Sequence, residues 1–408
     1  MRTACLTLVA LSCLYPSTLC LGVEDSLYHI ELQQLLQSGE LDLHFDESSD
    51  STAFGTWSYE PTCTPKLDAL DSPLCVYTNK TFSRGRGISI FTTPQIAESF
   101  AALPPFRDAN VLAEHDINGF RGNWYTREVS GKGIGMFAKH ALDRGDLITA
   151  YTPVVLAYAE NLLASQEREK FLQTAINQLP VPTAELFVNL ASVYGNGPDR
   201  KIQGIVGANN FALQVGGKRH LAVFPETSRM NHACTPNAQF YLNDSLLTHW
   251  VHATRSIEKG EEITIAYYDP LEPYVKRQKY LRDSFHFVCQ CPRCLRGEAG
   301  DDALTEIDAL QKSLGDWGID SSASVKQAER LIQTFQDQGL DGYLDPAYCH
   351  AALTYNAAGS VRGAKKYVQL AIEAIKLRLG PWAPDLPVWK EMLDNPTGHW
   401  SWRRRKRG

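Results

Sequence analysis

Three cysteines fall within six residues, in Cys289-Gln290-Cys291-Pro292-Arg293-Cys294. A Cys-x-Cys-x-x-Cys run offers three thiolates, one fewer than the tetrahedral set a structural zinc takes. The nearest unassigned thiol is Cys234, in Ser228-Arg229-Met230-Asn231-His232-Ala233-Cys234-Thr235-Pro236-Asn237. A four-cysteine site therefore requires this stretch to fold back against the triplet; disulfides among the same sulfurs are the competing reading. The Asn-His-x-Cys-x-x-Asn run also gathers amide, imidazole and backbone groups into seven residues, a compact polar site. A third stretch, Lys259-Gly260-Glu261-Glu262-Ile263-Thr264-Ile265-Ala266-Tyr267-Tyr268, ends on a tyrosine and is followed by Phe285-His286-Phe287 and the triplet. Upstream, Gly131-Lys132-Gly133-Ile134-Gly135 leads into Met136-Phe137-Ala138. Alternate glycines ahead of a strand let backbone approach a ligand closely, although the full Rossmann and P-loop spacings are absent.

These stretches need elements to hold them. Short β-like runs dominate from Trp124 to about Tyr268, among them Gly135–Ala138, Leu147–Tyr151, Pro153–Tyr158, His220–Phe224, Ala238–Leu242 and Glu262–Tyr267. Between Glu160 and Leu190 the apolar period becomes helical, with Leu163, Phe171, Ile176, Leu186 and Leu190 on stripes, so a helical insertion splits the β-rich unit. Ahead of it lie strand hints at Gly87–Phe91 and a helix from Pro94. After Cys294 the pattern is helical: Leu304, Ile307, Leu310 and Leu314, then Val325, Ala328, Leu331, Ile332 and Phe335. Asp345-Pro346 reads as an N-cap with proline at the first helical position, and Gly359-Ser360 starts the next helix. Small residues facing Tyr348, Tyr355 and Tyr367 resemble one tetratricopeptide-type hairpin. Arg403 to Arg407 forms a basic tail of the kind that is usually solvated.

The 408 residues suit two or three domains. Forty basic against 46 acidic side chains, net −6, argue against broad electrostatic binding of nucleic acid. Beyond residue 25 no apolar run approaches the roughly 18 residues of a membrane span. Met1-Arg2-Thr3, the apolar run Ala4–Leu14 and the small residues before Cys20 fit a secretory leader. In an oxidising compartment Cys63 and Cys75 would suit a disulfide; two unrelated thiols are the equal alternative. Residues 24 to 71 hold eleven acidic side chains and one basic one, Lys66.

In this order, the glycine turn, the Asn-His-x-Cys-x-Pro-Asn stretch, the Gly-Glu-Glu-(x)4-Tyr stretch and the Cys-x-Cys-x-x-Cys tail resemble the SET domain of protein lysine methyltransferases. They cover Asn123 to Cys294, about 40% of the chain. The chain looks similar to the SET–MYND enzymes and their fungal SET-protein cousins. With no cysteine between Cys75 and Cys234, the MYND zinc module is missing.

The resemblance implies an α+β fold: a β-rich SET fold with a helical insertion, a post-SET zinc tail and a tetratricopeptide-like C-terminal domain. Its expected limits are a leader at 1–20, an acidic extension at 21–118, a SET domain at 119–269 with the insertion near 159–200, a post-SET segment at 270–298, a helical domain at 299–400 and the basic tail at 401–408. It implies methyl transfer from S-adenosyl-L-methionine to a lysine amine of a protein substrate. Tyr267 would stand at the transfer centre. Lys132, Gly133, Gly135, Asn209, Ser228, Met230, Asn231, His232 and Phe287 would hold the cofactor, and Phe211 and Phe285 would line the lysine channel. Cys234, Cys289, Cys291 and Cys294 would bind structural Zn2+. Ile134 stands where some relatives have Asn, which together with the leader favours the alternative of a weakly active SET-fold scaffold binding a protein partner. No direct nucleic-acid contact is expected. The leader points to the secretory pathway, whereas the family usually works in cytoplasm or nucleus.

Overall fold

The computed structural model of the protein describes residues 55–193 and 200–405. The expected leader, most of the acidic stretch and the last three residues of the basic tail lie outside them.

The chain first builds a sheet edge. Strands β1 (Thr62–Cys63), β2 (Cys75–Asn79) and β3 (Ile88–Thr92) run antiparallel in succession, with Cys63 directly opposite Cys75. The two cysteines form a disulfide. Helix α1 (Pro94–Ala101) starts on Thr93, whose side chain accepts the Ile96 N–H, and buries Ile96, Ala97 and Phe100.

Strands β4 (Trp124–Val129), β5 (Gly133–Ala138), β6 (Leu147–Tyr151) and β7 (Val155–Tyr158) follow. β7 is buried at every position and lies parallel to β3, so residues 75–92 share a sheet with the region expected to start at 119. The β3–β7 ladder thus joins residues on either side of the expected limit at 118. A sheet buried on both faces reads as an apolar run with no gap to mark where a domain ends.

Helices α2 (Ser165–Asn177), α3 (Val181–Val188) and α4 (Lys201–Asn209) form the insertion, whose last helix extends past the expected limit near 200. In α3 the helical face differs by one residue from the expected stripe: Phe187 is fully buried and Leu186 is exposed. Both carboxylate oxygens of the buried Glu169 on α2 accept N–H groups opening α4, from Ile202 (2.8 Å) and Gln203 (3.0 Å). Those donors have no partner within their own helix, so Glu169 supplies one.

β8 (Asn210–Val215) and β9 (Lys218–Val223) form a hairpin joined by Gly216-Gly217. Both glycines have positive φ (61° and 72°), as a two-residue turn matched to strand twist requires. The six-stranded sheet then reads β1-β2-β3-β7-β9-β8. Its core joins Ile90, Phe91, Leu156 and Val223 to Leu172, Ile176, Phe187, Ile202 and Ile205 of the insertion.

The remaining strands are β10 (Asn231–His232), β11 (Ala238–Asn243), β12 (Thr248–Ala253) and β13 (Glu262–Ile265). One sheet reads β10-β13-β5-β4 and another β11-β12-β6. Helix α5 (Tyr274–Phe285) ends at His286, which has positive φ, and leads to the cysteine triplet.

The longer helices that follow are α6 (Asp302–Gly315), α7 (Val325–Asp337), α8 (Asp345–Ala357), α9 (Val361–Leu379) and α10 (Leu386–Asp394). α7 begins with a capping box of Ser324 and Gln327. Asp345, expected to cap α8, lies inside that helix; its buried carboxylate instead pairs with Arg378 of α9 at 2.5 Å. Tyr355 and Tyr367 stack across α8 and α9 at 5.1 Å. This helical region docks on the β11–β12 hairpin, where Trp382 meets Tyr241 edge-on at 5.4 Å. The basic tail is not wholly solvated, because Arg405 lies over the Trp317 ring and donates to the Leu314 carbonyl. Among the described residues no helix is long and apolar enough to cross a membrane.

Candidate active site and cysteine cluster

β10 is two residues long, and its place is set by β13. The strands pair in parallel, Asn231 beside Thr264 and His232 beside Ile265. Asn237 strengthens the join, its Oδ1 accepting the Thr264 N–H (2.8 Å) and its Nδ2 donating to the Glu262 carbonyl (2.9 Å). The approach to β10 is pinned by Arg86, whose guanidinium grips both oxygens of Glu226 at 2.7 Å in a largely buried bidentate pair.

Tyr267 follows β13 directly. Its hydroxyl donates to the Met230 carbonyl (2.7 Å), and its backbone N–H donates to His232 Nδ1 (3.0 Å). Burial, with a smaller push from Glu262, raises the phenol well above its ordinary pKa. It is therefore a neutral hydroxyl at physiological pH and no base. With its hydrogen committed to Met230, the oxygen keeps its lone pairs as acceptors. The ring packs against Phe285 at 4.9 Å and sits edge-on to Phe287 at 6.5 Å. His232 is buried and, through desolvation, lowered to about 4.

Gly135 lies beside Asn231 and Glu262. A Cβ there would stand 2.9 Å from both Asn231 Nδ2 and Glu262 Oε1, so any larger residue would push those two side chains aside. Asn231 Nδ2 donates to Glu262 Oε1 (2.8 Å), and the exposed Lys132 reaches Glu262 Oε2 (3.0 Å). Ser228 donates to the Phe224 carbonyl (2.9 Å), with the Asn209 carbonyl 3.5 Å from the same hydroxyl. Asn209 Nδ2 donates to the carbonyls of Ala191 and Ile205 (2.7 and 2.8 Å).

Most of the expected residues lie together: Gly133, Gly135, Asn231 and His232 on β5 and β10, Lys132, Met230 and Tyr267 just beyond the ends of β5, β10 and β13, and Phe285 and Phe287 against Tyr267. Phe211 lies one layer away. Its ring packs on Phe224, Phe240 and His249, and it shares with Tyr267 a cluster that includes Met136, Met230 and Ile265. Glu262 is the residue that motif matching passed over; its signal was the paired acid of Gly-Glu-Glu, which does not say which carboxylate turns inward.

The four cysteine sulfurs of Cys234, Cys289, Cys291 and Cys294 lie within 4.8 Å of one another, and none forms a disulfide. The expected fold-back of the Asn-His-x-Cys stretch onto the triplet is present. Four thiolates about 2.3 Å from one zinc sit roughly 3.8 Å apart; Cys234 and Cys294 are at 3.5 Å. Gln278 of α5 clamps the backbone of Cys289 from both sides, donating to its carbonyl (2.8 Å) and accepting its N–H (3.1 Å). The donor set fits a tetrahedral zinc.

The SET domain family model matches residues 133–268, the span from the glycine turn to Tyr268. The chain is 32% identical over 278 residues to the histone-lysine N-methyltransferase set5 of Schizosaccharomyces pombe, covering 66% of this chain and 83% of that protein. The chain belongs to the SET-domain protein-lysine N-methyltransferases. This methyltransferase is also 33% identical over 155 residues to the histone-lysine N-methyltransferase SMYD3 of Mus musculus, 38% of this chain and 31% of that one. Over 107 residues it is 36% identical to the human N-lysine methyltransferase SMYD2, 26% of this chain and 24% of the other. It therefore spans a third or less of those two SMYD proteins. The methyltransferase is a mixed α+β protein, with a β-rich SET region, a four-cysteine cluster after it and a helical C-terminal region.

Proposed function

We propose that this enzyme methylates lysine side chains of histone-like proteins, using S-adenosyl-L-methionine held on the β10-β13-β5 sheet. The single observation that carries this reading is the meeting of Asn231, His232 and Tyr267 at the β10–β13 pairing. S-adenosylmethionine supplies an electrophilic methyl group on its sulfonium. Asn231 keeps its carbonyl oxygen free while its amide is fixed on Glu262, so it can accept from a cofactor ammonium. Lys132, whose side chain is partly exposed, is available to a carboxylate. Phe287 offers a flat face for an adenine, and Phe285 with Phe211 would keep the lysine channel dry. A dry channel disfavours the charged form of lysine, whose reference pKa is near 10.4, and so supplies the amine nucleophile. Tyr267 acts by position and by its lone pairs.

The cysteine cluster would hold one structural zinc, and α8 with α9 would form a tetratricopeptide-like hairpin. The Cys63–Cys75 disulfide supports passage through an oxidising compartment, in keeping with a leader at 1–20. If so, N-terminal sequencing of the mature chain starts near residue 21; a start at Met1 rejects cleavage.

Calorimetric titration with S-adenosylmethionine, followed by methyl transfer to core histones, tests the main reading. Binding is expected, with transfer abolished on the order of 10²-fold in Tyr267→Phe while cofactor affinity stays unchanged. No heat at millimolar cofactor would favour the scaffold; equal turnover in the variant would remove Tyr267 from the reaction.

A further inference from the structure

The imidazole of His232 stands between the two parts of this site. Its Nδ1 receives the backbone N–H of Tyr267 at 3.0 Å, and its Nε2 lies 3.2 Å from Cys234 Sγ. A backbone N–H can only donate, so Nδ1 must carry a lone pair. The ring is then neutral, with its hydrogen on Nε2, pointing at the sulfur. His232 is thus an acceptor on the methyl-transfer side and a donor on the cysteine side. It is buried, and its backbone is fixed by the β10–β13 register, so a shift of Cys234 moves a rigid ring rather than a flexible chain. Tyr267 has its hydroxyl tied to Met230, two residues before His232, so the tyrosine is held at both ends by one short segment.

The geometry points to His232 as a positioning residue that couples zinc in the four-cysteine cluster to cofactor binding beside Tyr267. This rests on the reading that the cluster binds zinc and the sheet binds S-adenosylmethionine. A thiolate fixed on zinc gives the Nε2–H a stationary, charged acceptor. That in turn orients Nδ1 and the Tyr267 backbone on which the cofactor pocket is built. Linkage makes the effect reciprocal: cofactor must strengthen zinc binding by the same factor by which zinc strengthens cofactor binding.

The experiment uses the full chain and the reaction product S-adenosylhomocysteine, which binds without turnover. Zinc affinity is measured by competition with a chromophoric chelator, with and without that probe, and probe affinity is measured calorimetrically before and after zinc removal. About tenfold enhancement in both directions is expected, within the usual range of coupling between sites. His232→Asn keeps an acceptor for the Tyr267 N–H and loses the donor to Cys234. It should weaken zinc by roughly 10–100-fold, as loss of an outer-shell partner does, and abolish the enhancement. His232→Gln keeps a donor towards Cys234 and loses the acceptor; it should hold zinc nearly as the unaltered chain does, yet also lose the enhancement. Full enhancement in both variants would route the coupling through Phe287 and overturn the proposal. Unaltered protein that binds both ligands without mutual effect overturns it too. Failure of the unaltered chain to bind zinc or the probe at all sinks the underlying reading, and this one with it.

Discussion

Glu262 takes hydrogen bonds from two side chains that lie far apart in the chain, Lys132 at 3.0 Å and Asn231 at 2.8 Å, while Gly135 leaves room for the pair. Its neighbour Glu261 turns the other way, to Arg255 and Asn237. Glu262 opens β13 and Glu261 precedes it, so one acid of the pair faces Lys132 and Asn231 and the other faces Arg255. Replacing Glu262 with Gln keeps the shape but sets an amide against two donors. Cofactor KM should rise about tenfold with kcat nearly unchanged, because the contact orients a binding group and touches no reacting atom. Steady-state kinetics at varied S-adenosylmethionine checks this; an unchanged KM would remove Glu262 from the cofactor site. The meeting of Cys234 with the triplet was legible from the cysteine count alone, whereas Tyr267, Asn231 and His232 stood out only through the resemblance to the SET domain. Glu262 was not legible, since a doubled acid carries no direction until a strand gives it one.

Elements were legible where a single face is buried and obscure where long-range contacts decide. α7 announces itself through Ala328, Leu331, Ile332 and Phe335, which are all buried. α4 does not. Gly204 and Gly207 weaken it as a helix, and the carboxylate that caps it comes from Glu169, more than thirty residues upstream. β10 has no pattern of its own; two residues become a strand only because β13 lies alongside. The same logic settles the first two cysteines of the described chain. Eleven intervening residues leave their pairing open, and it is the register of β1 on β2 that brings Cys63 opposite Cys75. Asp345 shows the opposite failure, a locally sensible cap that a buried arginine on another helix claims instead.

Across the whole molecule several histidines are buried as neutral rings. Desolvation lowers His249, enclosed by Phe211, Phe224 and Phe240, to about 3, and His220 and His350 to about 4, from an ordinary 6.5. Between those values the unfolded chain binds protons that the folded chain refuses, so stability falls as pH falls. The full stability is present above pH 6.5 and is lost on the way down towards 4. Denaturant melts at pH 8 and pH 5 should show this, and His249→Leu should recover ~2 kcal/mol of the difference between the two. An equal difference in the variant would mean that His249 takes no part.

The parallel pairing of β3 with β7 has a practical corollary for anyone excising the catalytic half. A fragment started at residue 119 would discard β3 and open the sheet along Val155, Leu156 and Ala157, three buried residues whose ladder would then face solvent. Bare apolar edges of that kind recruit other chains into sticky aggregates. A fragment that keeps this edge covered starts ahead of β3, upstream of the family signature.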